Sequence, residues 1–74
     1  MKELIEIIAS IVNLEPSSLS QDTGPSNCDE WDSLAHINII TGIEERYEIS
    51  FSMDEIIEIN SINYLNQLVE QKRK

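Results

Sequence analysis

The sequence predicts an all-α fold: a small four-helix bundle with a long loop between its first and second helices and a short third helix. Three observations carry this expectation. Apolar residues recur at three- and four-residue steps, first at Leu4, Ile7, Ile8 and Ile11 and again at Leu34, Ile37, Ile40, Ile43 and Tyr47, which is the period of a helix with one buried stripe. The apolar set is dominated by isoleucine and leucine, with one Trp, one Phe and two Tyr, a composition suited to helices packed on an aliphatic core. No pair of strands is legible: Ile49 and Phe51 alternate with Ser50 and Ser52, but two apolar positions without a partner strand read as a loop pinned to the core.

In chain order, the first helix is expected over about residues 2–14. Leu4, Ile7, Ile8 and Ile11 face one side, Lys2, Glu3, Glu6 and Ser10 face away, and Ile5 and Val12 widen the stripe. Pro16 is expected to end it, because the residue before a proline is pushed out of the helical region. Residues 15–31 form a long connection that holds both prolines and Gly24. Loops beyond about 12–15 residues are uncommon in compact domains and are as a rule functional or mobile. Leu19 should pin this one to the core, and Thr23-Gly24-Pro25-Ser26-Asn27 reads as a turn.

The second helix is expected over about 33–48. Gly42 lies in its interior, at a cost of about 1 kcal/mol relative to alanine, and marks close packing. Ser52-Met53-Asp54-Glu55 is a capping-box pattern and should open the short third helix, about 53–58. Asn60 or Ser61 then caps a fourth helix, about 61–72, whose buried stripe is Ile62, Leu65, Leu68 and Val69. Lys72, Arg73 and Lys74 suit the negative end of its dipole. Ile39, Ile40, Met53, Ile56, Ile57, Ile59 and Ile62 should line the seam between the second and third helices as aliphatic core.

Seventy-four residues make one domain, 1–74. A domain this small buries only about 60% of its unfolded surface, which leaves no room for a deep catalytic cleft. The net charge is −9, from 14 acids against 5 bases. Such a chain is repelled by nucleic acid and by anionic membranes, and is steered toward basic protein partners. Cys28 is the only cysteine, so no internal disulfide forms. There is no signal-peptide pattern and no apolar run near the roughly 18 residues that span a membrane. A soluble, cytoplasmic monomer is the expectation.

The stretch with chemical meaning is Trp31-Asp32-Ser33-Leu34-Ala35-His36, where the long loop meets the second helix. Asp32-Ser33-Leu34, with Trp31 before it and an acidic, apolar-striped helix behind it, resembles the carrier-protein family: acyl carrier proteins and their peptidyl-carrier relatives. The resemblance extends over nearly the whole chain, with the serine near the middle. It implies that Ser33 is esterified by 4′-phosphopantetheine drawn from coenzyme A, whose thiol carries cargo as a thioester. Asp32 is then both helix cap and part of what a phosphopantetheinyl transferase reads, with magnesium as that enzyme's metal. A serine at a helix mouth supplies an exposed, fixed hydroxyl, and a phosphodiester there lies near unpaired N–H groups.

The resemblance further implies a docking face made of Leu34, His36, Ile37, Asn38, Thr41, Glu44, Glu45, Glu48, Asp54, Glu55 and Glu58. It would meet basic patches on loading ligases or transferases and on synthase or condensing enzymes of fatty-acid, polyketide or related biosynthesis. An acyl chain could slip into the seam if the short helix moves. Asn38 stands where many fatty-acid carriers place an acid, and Thr41 where a larger apolar contact is common, which points to a dedicated partner set. Two alternatives stay open: an aminoacyl or peptidyl carrier, for example of D-alanine, and an unmodified acidic interaction module.

Catalysis by the chain itself is not expected. His36 lies one turn from Ser33, but a nucleophilic serine also needs a third group to orient the base and an oxyanion hole, and no Gly-x-Ser-x-Gly elbow is present. His36 is read instead as a surface or partner contact. One His and one Cys cannot make a zinc set, and 54–63 lacks the core of a calcium loop.

Overall fold

The computed structural model describes residues 2–73; Lys74 of the basic tail lies outside them. Among the described residues the chain is all-helical: α1 (Lys2–Val12), a 3₁₀ turn at Pro16–Ser18, α2 (Ser33–Tyr47), α3 (Met53–Glu58) and α4 (Ile62–Lys72), with no strand.

α1 buries Leu4, Ile8, Ala9 and Val12 and packs chiefly against α2. It ends at Val12, two residues short of the expected 14, because Asn13 turns left-handed at φ 62° and the Leu14 N–H donates to the Ala9 carbonyl at 3.0 Å. That closes the last turn on itself, as asparagine at this position is able to do. The stop signal is therefore Asn13. Pro16 instead opens the 3₁₀ turn, where its missing N–H costs nothing.

The long loop is tied down. Leu19 is buried in the core. The Thr23 carbonyl accepts from the Ile62 N–H and the Gln21 carbonyl from the Asn63 N–H, both at 2.9 Å, while the Ser61 hydroxyl accepts from the Tyr64 N–H at 3.1 Å. The first three donors of α4, unpaired within any helix, are thus all met. Asn27 stitches the loop internally, accepting from the Gly24 N–H at 2.8 Å and donating to the Asp22 carbonyl at 2.9 Å.

On α2 the buried face is Ala35, Ile39, Ile40 and Ile43, a rotation away from the expected stripe. Leu34 and Ile37 are 71% and 54% exposed. The small Ala35 hides the true face from a reading by hydrophobicity, while two large residues outside it fit the same three-and-four spacing. Gly42 faces α1: a Cβ there would sit 3.3 Å from Ile11 Cδ1. α2 closes at Glu48, left-handed at φ 56°, with the Ile49 N–H donating to the Glu44 carbonyl at 3.2 Å. Phe51 is then buried and its N–H donates to Glu44 Oε2 at 2.9 Å.

Both halves of the capping box are present at the start of α3, between Ser52 and Glu55. α3 buries none of its residues. The expected seam therefore divides: Ile39, Ile40, Ile59 and Ile62 are core, whereas Met53 and Ile57 are 71% and 72% exposed. α3 is held from outside by Lys72, whose Nζ lies 2.8 Å from Glu55 Oε1 and 5.6 Å from the centre of the Phe51 ring.

Candidate functional site

The mouth of α2 is built by Asp32. Its extended backbone lets Oδ1 accept the Ala35 N–H at 2.8 Å while its carbonyl takes the His36 N–H at 2.9 Å. Ser33 is the first helical residue and is exposed. Among the described residues no acceptor meets the N–H groups of Ser33 or Leu34. An exposed hydroxyl thus stands beside free donors and the positive end of a fifteen-residue helix. The Asp32 charge is already engaged in the cap. An anionic ester on Ser33 would meet donors, and the site fits a phosphodiester.

Beside Ser33 runs an open, mostly apolar groove of about 610 Å³ between α2 and α3. Pro25, Trp31, Ile37, Met53, Ile56, Ile57 and Ile59 supply its apolar walls. Sequence reading foresaw the seam but not Pro25 or Trp31 as part of it, because both arrive from the loop.

His36 is not the surface contact that spacing suggested. Its Nδ1 accepts from the buried Trp31 Nε1–H at 2.9 Å, and its Nε2 lies 2.8 Å from the Ile56 carbonyl. With both nitrogens engaged elsewhere, neither takes a proton from Ser33 in this arrangement.

The acids divide into two groups. Glu44 is bonded to the Phe51 N–H, Glu55 to Ser52 and Lys72, and Glu58 accepts from the Tyr64 hydroxyl at 3.2 Å. The Lys72 ammonium, and then the Ser52 N–H, hold the Glu55 carboxyl below its ordinary range. Glu45, Glu48 and Asp54 are exposed, and among the described residues no ion pair or side-chain hydrogen bond engages them. Leu34, Ile37, Asn38 and Thr41 are exposed on α2, as are Met53 and Ile57 on α3. Cys28 is half-buried, its Sγ 3.7 Å from Glu30 Oε1. No group of metal-ligating side chains gathers among the described residues, and no described helix is long and apolar enough to cross a membrane.

A family model described as a phosphopantetheine attachment site matches residues 2–69. Among solved structures, that of a holo acyl carrier protein from Geobacter metallireducens is similar, at a TM-score of 0.84 and 30% identity, over 95% of this chain and 80% of the other. No curated protein matches the sequence.

Proposed function

The chain belongs to the phosphopantetheine-attachment family of carrier proteins, and from that premise we propose that Ser33 bears the arm and that the protein shuttles acyl intermediates between enzymes. The prosthetic group of the family is 4′-phosphopantetheine. When bound it supplies a terminal thiol on which cargo is held as a thioester. The observation that carries the reading is Ser33 itself: an exposed hydroxyl on the first residue of α2, beside unpaired N–H groups and at the edge of an apolar groove.

Each neighbour has a part. Asp32 fixes the helix mouth and presents a carboxylate next to the hydroxyl for a phosphopantetheinyl transferase to read. Leu34 and Ile37 offer apolar contact to partners, and Glu45, Glu48 and Asp54 steer basic docking patches toward it. Asn38 and Thr41 give that face its own character. The groove accommodates the apolar part of arm or cargo. The partners in this reading are the transferase, a loading ligase or transferase, and synthase or condensing enzymes. The chain does no chemistry alone, and a reducing cytoplasm suits its single thiol.

The test is mass. Incubation with coenzyme A, Mg²⁺ and a broad transferase adds one phosphopantetheine to the folded protein, and Ser33→Ala adds none. A gain that survives Ser33→Ala, or no gain with several transferases, overturns the assignment.

A further inference from the structure

α3 is six residues long, has no buried residue, and is too short to be stable alone. Its last carbonyls have no partner inside the helix. Ile59, which follows α3, closes no hydrogen bond back onto it, and among the described residues no backbone N–H from outside α3 reaches the Ile56 carbonyl. That carbonyl instead faces His36 Nε2 across the groove, at 2.8 Å. Its other neighbour settles which ring nitrogen carries the proton. An indole N–H only donates, so Nδ1, 2.9 Å from Trp31 Nε1, must accept. Nε2 then carries the proton and donates to Ile56, whose carbonyl can only accept. Two unrelated partners demand the same tautomer.

We infer that His36 is a positioning residue of the carrier site: it caps the open end of α3 from α2, and so sets the width of the groove beside Ser33. Trp31, 2% exposed, is the fixed post against which the ring is braced. Lys72 holds α3 on its outer side through Glu55. His36 is the side-chain hydrogen bond from α2 to the α3 backbone on the groove side. Anything that passes from the groove inward between α2 and α3, toward the core, must break it. With it in place the groove remains an exterior one, closed from the core formed by Ile39, Ile43 and Ile62. The consequence for cargo rests on the reading of Ser33 above; the bond itself does not, and it is measured on the protein without its arm.

The full chain is examined by ¹⁵N NMR and amide hydrogen exchange, as wild type and as two variants that each keep one half of the arrangement. An asparagine amide oxygen reaches the place of Nδ1, and a glutamine amide that of Nε2. His36→Asn retains protection of the Trp31 indole N–H but speeds exchange of the α3 amides, by about tenfold for one net hydrogen bond. His36→Gln retains α3 protection and exposes the indole. Wild type shows the Nε2-protonated imidazole pattern. The neutral dye N-phenyl-1-naphthylamine is taken up more by His36→Asn than by His36→Gln. An Nδ1-protonated ring overturns the inference. So does α3 exchange that is equal in the two variants, or dye uptake that does not separate them. Failure of Ser33 to accept an arm leaves all three readouts unaffected, so the two readings fail separately.

Discussion

At position 24 one carbonyl decides what the chain tolerates. A Cβ on Gly24 would lie 2.0 Å from the Asn60 oxygen and 2.7 Å from its carbonyl carbon, and both are backbone atoms that no rotamer change moves aside. The contact is what lets Thr23 and Gln21 meet the first donors of α4. Gly24→Ala should therefore cost stability at or beyond the upper end of the roughly 1–3 kcal/mol of ordinary overpacking, read as a lowered urea midpoint. Gly42→Ala is the contrast: its Cβ would meet the movable Ile11 Cδ1 at 3.3 Å and Ile7 Cγ2 at an ordinary 3.9 Å, and the gain in helix propensity of up to about 1 kcal/mol offsets the crowding. Equal losses at the two glycines would show that the loop is not seated on α4 as described. To a sequence reader Gly24 is a turn residue and Gly42 a helix-interior one. Gly42 declared itself because it interrupts a helical period, whereas the need for Gly24 comes from a residue 36 positions away.

At the scale of elements, α3 is where local chemistry and tertiary contact are easiest to separate. Its start was legible: Ser52 and Glu55 are three apart, and a capping box is made entirely of neighbours. Its placement was not, because His36 with Ile56 and Glu55 with Lys72 are joined only in the folded chain. The same holds on α2, where periodicity placed the helix but turned its face, since Leu34 and Ile37 carry the right spacing on the wrong side. A pH prediction follows for α3. Lys72, and then the Ser52 N–H, lower the folded-state pKa of Glu55. A lowered carboxyl adds stability that is present above the unfolded-state value and lost as pH falls through the folded one. Acidification below the ordinary carboxylate range should therefore loosen α3, seen as faster exchange of the Glu55 and Ile56 amides. Glu55→Gln keeps a capping-box side chain but cannot titrate, and its acid limb should be flatter. An unchanged acid limb in Glu55→Gln would assign the loosening to other carboxyls.

For the molecule as a whole, charge separates what the fold uses from what it leaves for a partner. The chain measures 29 × 22 × 19 Å and carries −9, so little of its surface lies far from an acid. The family resemblance places Glu44, Glu45, Glu48, Asp54, Glu55 and Glu58 together on one docking face. The fold withdraws Glu44 and Glu55 into backbone and ion-pair contacts and leaves Glu45, Glu48 and Asp54 open. Reversing the open acids should therefore change encounter without changing the fold. Glu45→Lys with Glu48→Lys takes the net charge from −9 to −5, two units at each position. Both lie near the negative end of α2, where a lysine is favoured by a few tenths of a kcal/mol, so the thermal midpoint should hold or rise slightly. Association with a transferase that presents a basic patch should slow about tenfold at low salt. The deficit should close as salt shortens the screening length from roughly 10 Å at 0.1 M to about 3 Å at 1 M. Glu44→Lys behaves oppositely, because it strips the Phe51 N–H of a charged acceptor at the edge of the core, a loss of about 1–3 kcal/mol that appears in the melting curve at any salt. Stopped-flow association and thermal unfolding of the same variants separate the two outcomes. Slower association that persists at high salt would remove electrostatic steering from this face, and an unshifted melt in Glu44→Lys would return Glu44 to it.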